Sequence, residues 1–303
     1  MRLASGNDRS SPAGGDVPQV SVIIPTYNRG ETLLADAVES VLDQSFDDFE
    51  LIVVDDGSTD GTAELLKCWS ERIHTIRTKR RGVASARNSG AAAACGRWLA
   101  FLDSDDRWLP EKLELQLAAH REHSEFRFSH TDEMWMREGR RVNPLKKHAK
   151  RGGRIFEYCL PMCRISPSAA MIDREFFLDL GGFDESFRVC EDYELWLRVT
   201  ARVPVLYLDR PLVVKRGGHP DQLSASHWGF DRWRARAIRM IIDGGMLGGS
   251  QRRTALGELV HKCRILENGY EKRGKKLPAL RWRKTAQTAE MEIEELEMRQ
   301  PAG

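Results

Sequence analysis

The stretch from Trp98 to Asp106, Trp-Leu-Ala-Phe-Leu-Asp-Ser-Asp-Asp, constrains the fold more than any other part of the chain. Its five leading apolar residues leave no solvated face, so they require a strand covered on both sides. The run then ends in three carboxylates within four residues. That pattern predicts a buried parallel strand delivering acids to the carboxyl edge of a sheet, where open α/β sheets bind ligands. Carboxylates this close raise one another's pKa unless something positive lies between them. Hard oxygen donors suit Mg²⁺ or Mn²⁺, ions that bind through one or two carboxylates plus substrate phosphates. The expectation is a metal-bridged diphosphate. A solvated acidic turn ahead of a helix starting near Pro110 is the alternative this stretch alone leaves open.

Other segments repeat the arrangement. Val20 to Ile24 is a β-branched run stopped by Pro25, with Thr26, Tyr27 and Asn28 at its end. Leu33, Leu34, Ala37, Val38, Val41 and Leu42 then recur at helical spacing, as a crossover helix does. Phe49 to Val54 is a second strand ending in Asp55-Asp56-Gly57-Ser58-Thr59-Asp60, where Gly57 allows a tight turn and Ser58, Thr59 or Asp60 can cap the next helix. A third strand falls near Ile73 to Ile76, and Gly82 to Ala94 is a small-residue helix able to lie close to a sheet, with Arg87 as its one long cation. Strands alternating with helices predict an α/β fold whose mostly parallel sheet is covered on both faces, with right-handed crossovers. Further strands are expected at Phe126 to Thr131, Glu133 to Arg137, Ser168 to Ile172, Val205 to Leu208 and Leu212 to Val214. A helix beginning near Glu191 places Glu191 and Asp192 at its positive amino end.

Composition sets limits around this core. The 303 residues allow one large domain with an appendage. With 47 Lys and Arg against 45 Asp and Glu, the formal charge is +2, which implies no general polyanion-binding chemistry and no nucleic-acid partner. The charge is uneven: Arg137 to Arg154 carries eight basic side chains and one Glu. The six scattered cysteines suit a reduced, cytoplasmic environment. No run approaches the roughly twenty apolar residues of a membrane span. Residues 1–17 read as a flexible tail, 18–228 as the main α/β domain and 229–303 as a C-terminal helical region.

Taken in order, Val22-Ile23-Ile24-Pro25-Thr26-Tyr27-Asn28, Val54 to Asp60, Ala86-Arg87-Asn88, Phe101 to Asp106, Gly181-Gly182-Phe183-Asp184-Glu185 and Glu191-Asp192-Tyr193 resemble the ordered signature of family 2 glycosyltransferases of GT-A fold. The resemblance spans roughly Val20 to Ser224. It implies inverting transfer of a sugar from a nucleotide-diphosphate donor, usually a UDP-sugar, to an acceptor hydroxyl. By that resemblance Pro25, Thr26, Tyr27, Asp56, Arg87, Asp103 and Ser104 hold the nucleotide, Asp105 ligates Mn²⁺ or Mg²⁺, and Asp192 is the general base. Glu191 is the alternative base. His219, in the loop Arg216 to Ser224, matches a family position that faces the metal or the diphosphate. The chemistry is coherent: a divalent ion stabilises the leaving diphosphate, and a carboxylate opposite removes the acceptor proton. Each residue also has a structural reading: Asp55 and Asp56 as turn caps, Arg87 paired with a carboxylate, Tyr27 and Trp196 as core aromatics.

Two other functions fit parts of the pattern. A sugar nucleotidyltransferase is expected to carry a glycine-rich phosphate loop after the first strand, where this chain has Pro25 to Gly30. An inactive nucleotide-sugar-binding scaffold does not need both Asp105 and Asp192. The acceptor, whether glycan or lipid-linked, is not legible. Phe230, Trp233, Ala237, Met240 and Ile241 lie opposite Arg232, Arg236 and Arg239 on a basic amphipathic helix, which either packs on the main domain or docks on the inner face of a membrane. Leu277 to Arg299 predicts a long helix with a narrow apolar stripe and acids crowded toward its carboxyl end. Such a helix folds back on its neighbours or pairs with a second copy of the chain.

Overall fold

The computed structural model describes residues 17–30, 32–143, 145–218 and 229–298. The first four apolar segments form β1 (Val20–Thr26), β2 (Phe49–Asp55), β3 (His74–Arg77) and β4 (Trp98–Phe101). They run parallel in the order β3-β2-β1-β4. Every residue of β1 and β4 is buried, as strands covered on both faces require. Alternate side chains of β1 enter different cores: Ile23 joins the cluster with Val54, Phe101 and Trp196, whereas Val22 and Ile24 join Leu34, Trp108 and Leu117.

The crossovers are α1 (Thr32–Leu42), α2 (Thr62–Leu66) and α3 (Val83–Ala93). Of the stripe expected in α1, Leu34, Ala37, Val38 and Val41 are fully buried, while Leu33 and Leu42 are half-buried. The small residues of α3 bring it against the sheet, to the point that a Cβ at Gly90 would lie 2.5 Å from Ile23 Cγ2.

Beyond β4 the sheet changes character. After β5 (Arg107–Trp108) and α4 (Lys112–Glu122) come β6 (Phe128–Arg137), β7 (Arg140–Val142), α5 (Phe156–Cys159), β8 (Ala170–Asp173), α6 (Arg174–Asp179), α7 (Glu191–Arg202) and β9 (Leu206–Gly217). The order continues β4-β8-β6-β9-β5, with β7 paired to β6. Here only β6 and β9 pair in parallel. Two pairs of short strands expected from sequence are each one long strand. The polar residues that divide the pattern, Asp132 in β6 and Asp209 and Arg210 in β9, fall where the β6–β9 register shifts through a bulge, so pairing resumes beyond them.

The C-terminal helices are α8 (Phe230–Asp243), α9 (Gly249–Glu271) and α10 (Lys276–Met298). The Ile23 core extends into them through Ala237, Ile238, Leu259, Cys263, Ala286 and Ala289. Most of the expected apolar side of α8 packs inward, with Ala237 and Ile241 buried beside Ile238 and Ile242 and Phe230 and Trp233 half-buried, whereas Met240 is 39% exposed. Its Arg236 donates to Ser186 Oγ (2.6 Å), and Arg239 pairs with Asp243 and Glu292. Of the two expectations for this helix, the structure takes packing. α10 folds back along α9, and two of its late acids are met by the neighbouring helices: Glu292 by Arg239 of α8 and Arg252 of α9, and Glu290 by Arg264 of α9. Among the described residues, no helix is long and apolar enough to cross a membrane.

Candidate active site

A cleft of about 670 Å³ opens at the carboxyl ends of β1, β2 and β4. Its walls include Pro25, Thr26, Tyr27, Asp56, Arg87, Asp103, Ser104, Asp105 and Asp192. All the described residues singled out in the sequence therefore meet in one place, although the first and last lie more than 160 positions apart. His219 lies outside the described residues.

The floor is built by two loops tied to one another. Asn28, in the left-handed region at φ 49°, donates its backbone N–H to Ser58 Oγ (2.9 Å) and accepts through Oδ1 from the Thr59 N–H (2.9 Å). Arg29 N–H donates to Thr62 Oγ1 (2.8 Å) and Gly30 N–H to Asp60 Oδ2 (2.9 Å). Asp55 accepts from the Ser58 N–H (2.8 Å), which closes the turn that Gly57 enters at φ 76°. Asp56 takes a different part: its carboxylate accepts from Arg81 N–H (2.9 Å), Gly82 N–H (2.7 Å) and Thr78 Oγ1 (3.2 Å), fixing the loop between β3 and α3. The Arg80 guanidinium lies 3.9 Å over the Tyr27 ring. Thr26 Oγ1 is buried without a hydrogen-bond partner.

Three carboxylates follow β4. Asp103, Asp105 and Asp106 each offer an oxygen within 4.8 Å of the others. Asp106 is the deepest: it accepts from Ser168 Oγ (2.6 Å) and the Arg216 N–H (3.0 Å). Burial pushes its carboxyl above the usual range; Asp105 and Asp103 add to the rise and Lys215 opposes it. Lys215 on β9 is correspondingly held above its ordinary value: desolvation works against its charge, and Asp106 and Glu133 outweigh that. Arg29 stands 3.8 Å from Asp105. The sequence argument gives the positive partner of these acids to a metal; the structure adds protein cations at each of them.

Arg87 is the hub between the acids and α7. Nearly all of it is buried, and it donates to Asp103 Oδ1 (2.6 Å) and Glu191 Oε1 (2.7 Å), while its Nε has no hydrogen-bond partner. Burial lowers its affinity for the proton, but the two carboxylates reverse this and hold it above the ordinary arginine value. Glu191 is pushed upward by burial and by Asp192, with Arg87 pulling it back. Asp192, half-buried at the amino end of α7, accepts through Oδ1 from the Tyr193 N–H (2.7 Å) and through Oδ2 from the Cys163 thiol (3.3 Å). Burial and the neighbouring Asp192 keep that thiol well above its usual pKa, hence protonated and able to donate.

Sequence reasoning missed Arg29, Arg80, Asp106, Cys163 and Lys215 as wall or support residues. Asp106 was visible as the third acid of its run. Lys215 reaches the cleft through the β6–β9 pairing, and Cys163 reaches its wall residue Asp192 from the loop before β8; no local pattern exists for either.

The comparisons agree with this geometry. The model described as "Glycosyl transferase family 2" matches residues 21–181, and "Glycosyltransferase like family 2" matches 155–236. An "Uncharacterized glycosyltransferase" of Rickettsia bellii is 38% identical over 186 residues, covering 61% of this chain and 26% of its own length. The chain spans about a quarter to a third of the length of the Rickettsia bellii, Rickettsia felis and Rickettsia conorii relatives and 65% of those of Rickettsia prowazekii and Rickettsia typhi. The Escherichia coli "UDP-Glc:alpha-D-GlcNAc-diphosphoundecaprenol beta-1,3-glucosyltransferase WfgD" is 34% identical over 185 residues, covering 59% of this chain and 69% of that protein. The crystal structure of S. aureus TarS 1–349 shares the fold with TM-score 0.69 at 20% identity, covering 92% of this chain and 83% of TarS 1–349. A second TarS 1–349 structure, in complex with UDP-GlcNAc, matches with TM-score 0.60 at 19% identity over 90% of this chain and 92% of that one. The chain belongs to glycosyl transferase family 2 and has the GT-A fold.

Proposed function

We propose that the chain is a metal-dependent inverting glycosyltransferase that moves a sugar from a UDP-sugar to an acceptor hydroxyl. The observation that carries this reading is that one cleft gathers the β1 and β2 loops, the acid cluster after β4 and Asp192 on α7. The donor class draws on WfgD, named for UDP-Glc, and on TarS, solved with UDP-GlcNAc.

In this reading Pro25, Thr26, Tyr27 and the loop that Asp56 fixes receive the nucleotide. The unpartnered Thr26 hydroxyl is a group that a ribose or base can satisfy. Asp103 and Asp105 would hold the divalent ion with their hard oxygens, since Asp106 already accepts on both of its own. When bound, that ion neutralises charge on the departing diphosphate. Arg87 is a positioning residue, fixing Asp103 with one nitrogen and Glu191 with another. Ser104 stays with the donor side, and His219 is retained as a candidate ligand to metal or diphosphate.

Asp192 takes the acceptor proton. The acceptor oxygen attacks the anomeric carbon as the bond to the diphosphate breaks, and the hydroxyl proton passes to the Asp192 carboxylate. The Cys163 thiol, donating to Oδ2, orients that carboxylate. Glu191 is held by Arg87 and so is the poorer base. The acceptor is proposed to be lipid-linked by analogy with WfgD, whose name gives a diphosphoundecaprenol acceptor.

The test is nucleotide-diphosphate release from a panel of nucleotide sugars, followed by mass spectrometry with Mn²⁺ or with EDTA. Release of UDP that EDTA abolishes is the expected result. Release of pyrophosphate on supplying a sugar phosphate and UTP would instead identify a nucleotidyltransferase, and donor binding without release would identify a scaffold.

A further inference from the structure

We propose that the turn joining α9 to α10 is a docking surface for an anionic lipid membrane, carried on the same end of the molecule as the cleft. From Lys272 to Lys284 the chain has seven Lys and Arg and no acid. Lys272, Lys275, Lys276 and Arg281 are exposed, and between them Leu277 is 74% and Leu280 43% exposed. Leu277 and Leu280 are three residues apart on one helix, hence neighbours on its surface. Two solvent-facing leucines ringed by cations make a small apolar tip with a positive collar, the composition that inserts at the headgroup boundary of a bilayer.

The placement of the tip follows from three contacts. Near its start α9 meets the carboxyl end of α7, where Gln251 Nε2 donates to the Ala201 carbonyl (3.3 Å). By Lys262 it has reached the amino end: Lys262 Nζ donates to the Pro161 carbonyl (3.0 Å), next to Leu160, whose carbonyl accepts from Tyr193. Lys262 also pairs with Asp231 (3.3 Å), beside the cleft residue Phe230. α9 therefore runs antiparallel to α7 and continues past the Asp192 end for about ten residues, roughly 15 Å of helix. The cationic tip stands beyond the rim of the cleft and not on the opposite pole.

A second copy of the chain is a poor occupant of this surface, because it would bring the same positive collar against itself. The basic segment from Arg137 to Arg154 differs: among its described residues Leu145, 64% exposed, is the one large exposed apolar side chain. Neither Asp105 nor Asp192 belongs to the proposed surface, so lipid binding can fail while the proposed chemistry stands, and the reverse.

The experiment is co-sedimentation of the full chain with vesicles of phosphatidylcholine alone or with added phosphatidylglycerol, at low and high salt. Binding is expected on the anionic vesicles only and should weaken with salt. K275E/K276E should reduce it about tenfold or more, two charges being reversed at the surface. L277Q/L280Q should also reduce it, although no charge changes. K146E/K147E, an equal charge change on another exposed site, should retain most of the binding. Melting curves confirm that each variant is folded, and should a leucine variant not fold, the lysine pair decides alone. The proposal is overturned if the chain ignores anionic vesicles, if K146E/K147E loses as much as K275E/K276E, or if the leucine variant binds lipid as the parent does. Capture of a short RNA that the leucine change leaves untouched, without lipid binding, would mark a polyanion site instead.

Discussion

The two halves of the sheet contribute to the same cleft by different means. β1 to β4 are parallel, and the inner three, β1, β2 and β4, are mostly apolar and place Thr26, Asp56 and Asp103 at one edge because they all end there. The half from β6 to β9 is bulged and mainly antiparallel, and it supports the cleft from behind. Ser168 holds Asp106, Lys215 balances the acids, and Cys163 touches Asp192. Glu133 on β6 continues this support, pairing with Lys150 (3.0 Å) and accepting from Ser166. The first half presents the donor-side groups; the second supplies Asp192 from α7 and otherwise fixes the charge and orientation of groups presented from elsewhere. Substitutions in the first half and at Asp192 should therefore abolish chemistry, and those at the supporting residues of the second should mostly tune it.

The largest effect is expected at Asp105. Asp105→Ala should abolish metal-dependent UDP release and leave the melting temperature close to the parent's, since this partly exposed acid contributes little to the core. A variant with unchanged Mn²⁺-dependent turnover would remove Asp105 from the metal site. Arg87→Met joins the halves and should cost about 3–5 kcal/mol, because two largely buried carboxylates lose their common cation. Urea unfolding of parent and variant checks it: a loss under about 1 kcal/mol would show that Asp103 and Glu191 do not depend on Arg87.

How legible each half was in the sequence follows from the same contrast. The parallel strands β1, β2 and β4 could be read because each is a largely apolar run ending in chemistry, as in Phe101-Leu102-Asp103. The stripe of α1 and the turn at Gly57 were equally local. The strands β6 and β9 were each split in two because Asp132, Asp209 and Arg210 interrupt their pattern, and a bulge leaves no signature that distinguishes it from a loop. Arg87 illustrates the limit for the site itself. Its place in the cleft was readable, but its attachment to Asp103 and Glu191 depends on how α3, β4 and α7 pack. The chain end behaved similarly: the acids of α10 predicted dependence on packing, while their partners Arg239, Arg252 and Arg264 emerge only in three dimensions.

A smaller effect should appear on acidification, and it comes from two buried histidines. His130 on β6 is fully buried, and burial first, then Lys150, pushes its pKa down to about 3. His120, stacked on Trp98 at 3.9 Å, is pushed down to about 4 by burial. A histidine with a depressed folded pKa binds its proton more readily when unfolded, so stability is complete above pH about 6.5 and declines toward pH about 4. The loss should be on the order of a few kcal/mol over that window, before protonation of Glu133, held near 2 by Lys150 and Lys215 against the opposing effect of burial, becomes relevant. Thermal melts from pH 7 to pH 4 read this directly. A flat profile would mean that neither histidine is neutral for the reason given. His130→Gln should flatten part of it.

The smallest effect is expected at Cys163. Cys163→Ala removes a donor to Asp192 and so loosens the orientation of the base. The transfer rate should fall less than about tenfold while UDP affinity stays at the parent's. A transfer rate equal to the parent's would leave the thiol a packing role only.

The central claim is that Asp192 removes the acceptor proton from within a cleft whose other walls hold the donor. Asp192→Asn tests it most directly, measured as UDP affinity by calorimetry and transfer rate on the same preparation with Mn²⁺. The prediction is unchanged UDP affinity with transfer reduced about 10²–10⁴-fold, since an amide keeps the shape but cannot take the proton. Transfer at the parental rate, or UDP affinity lost as severely as the rate, would contradict it.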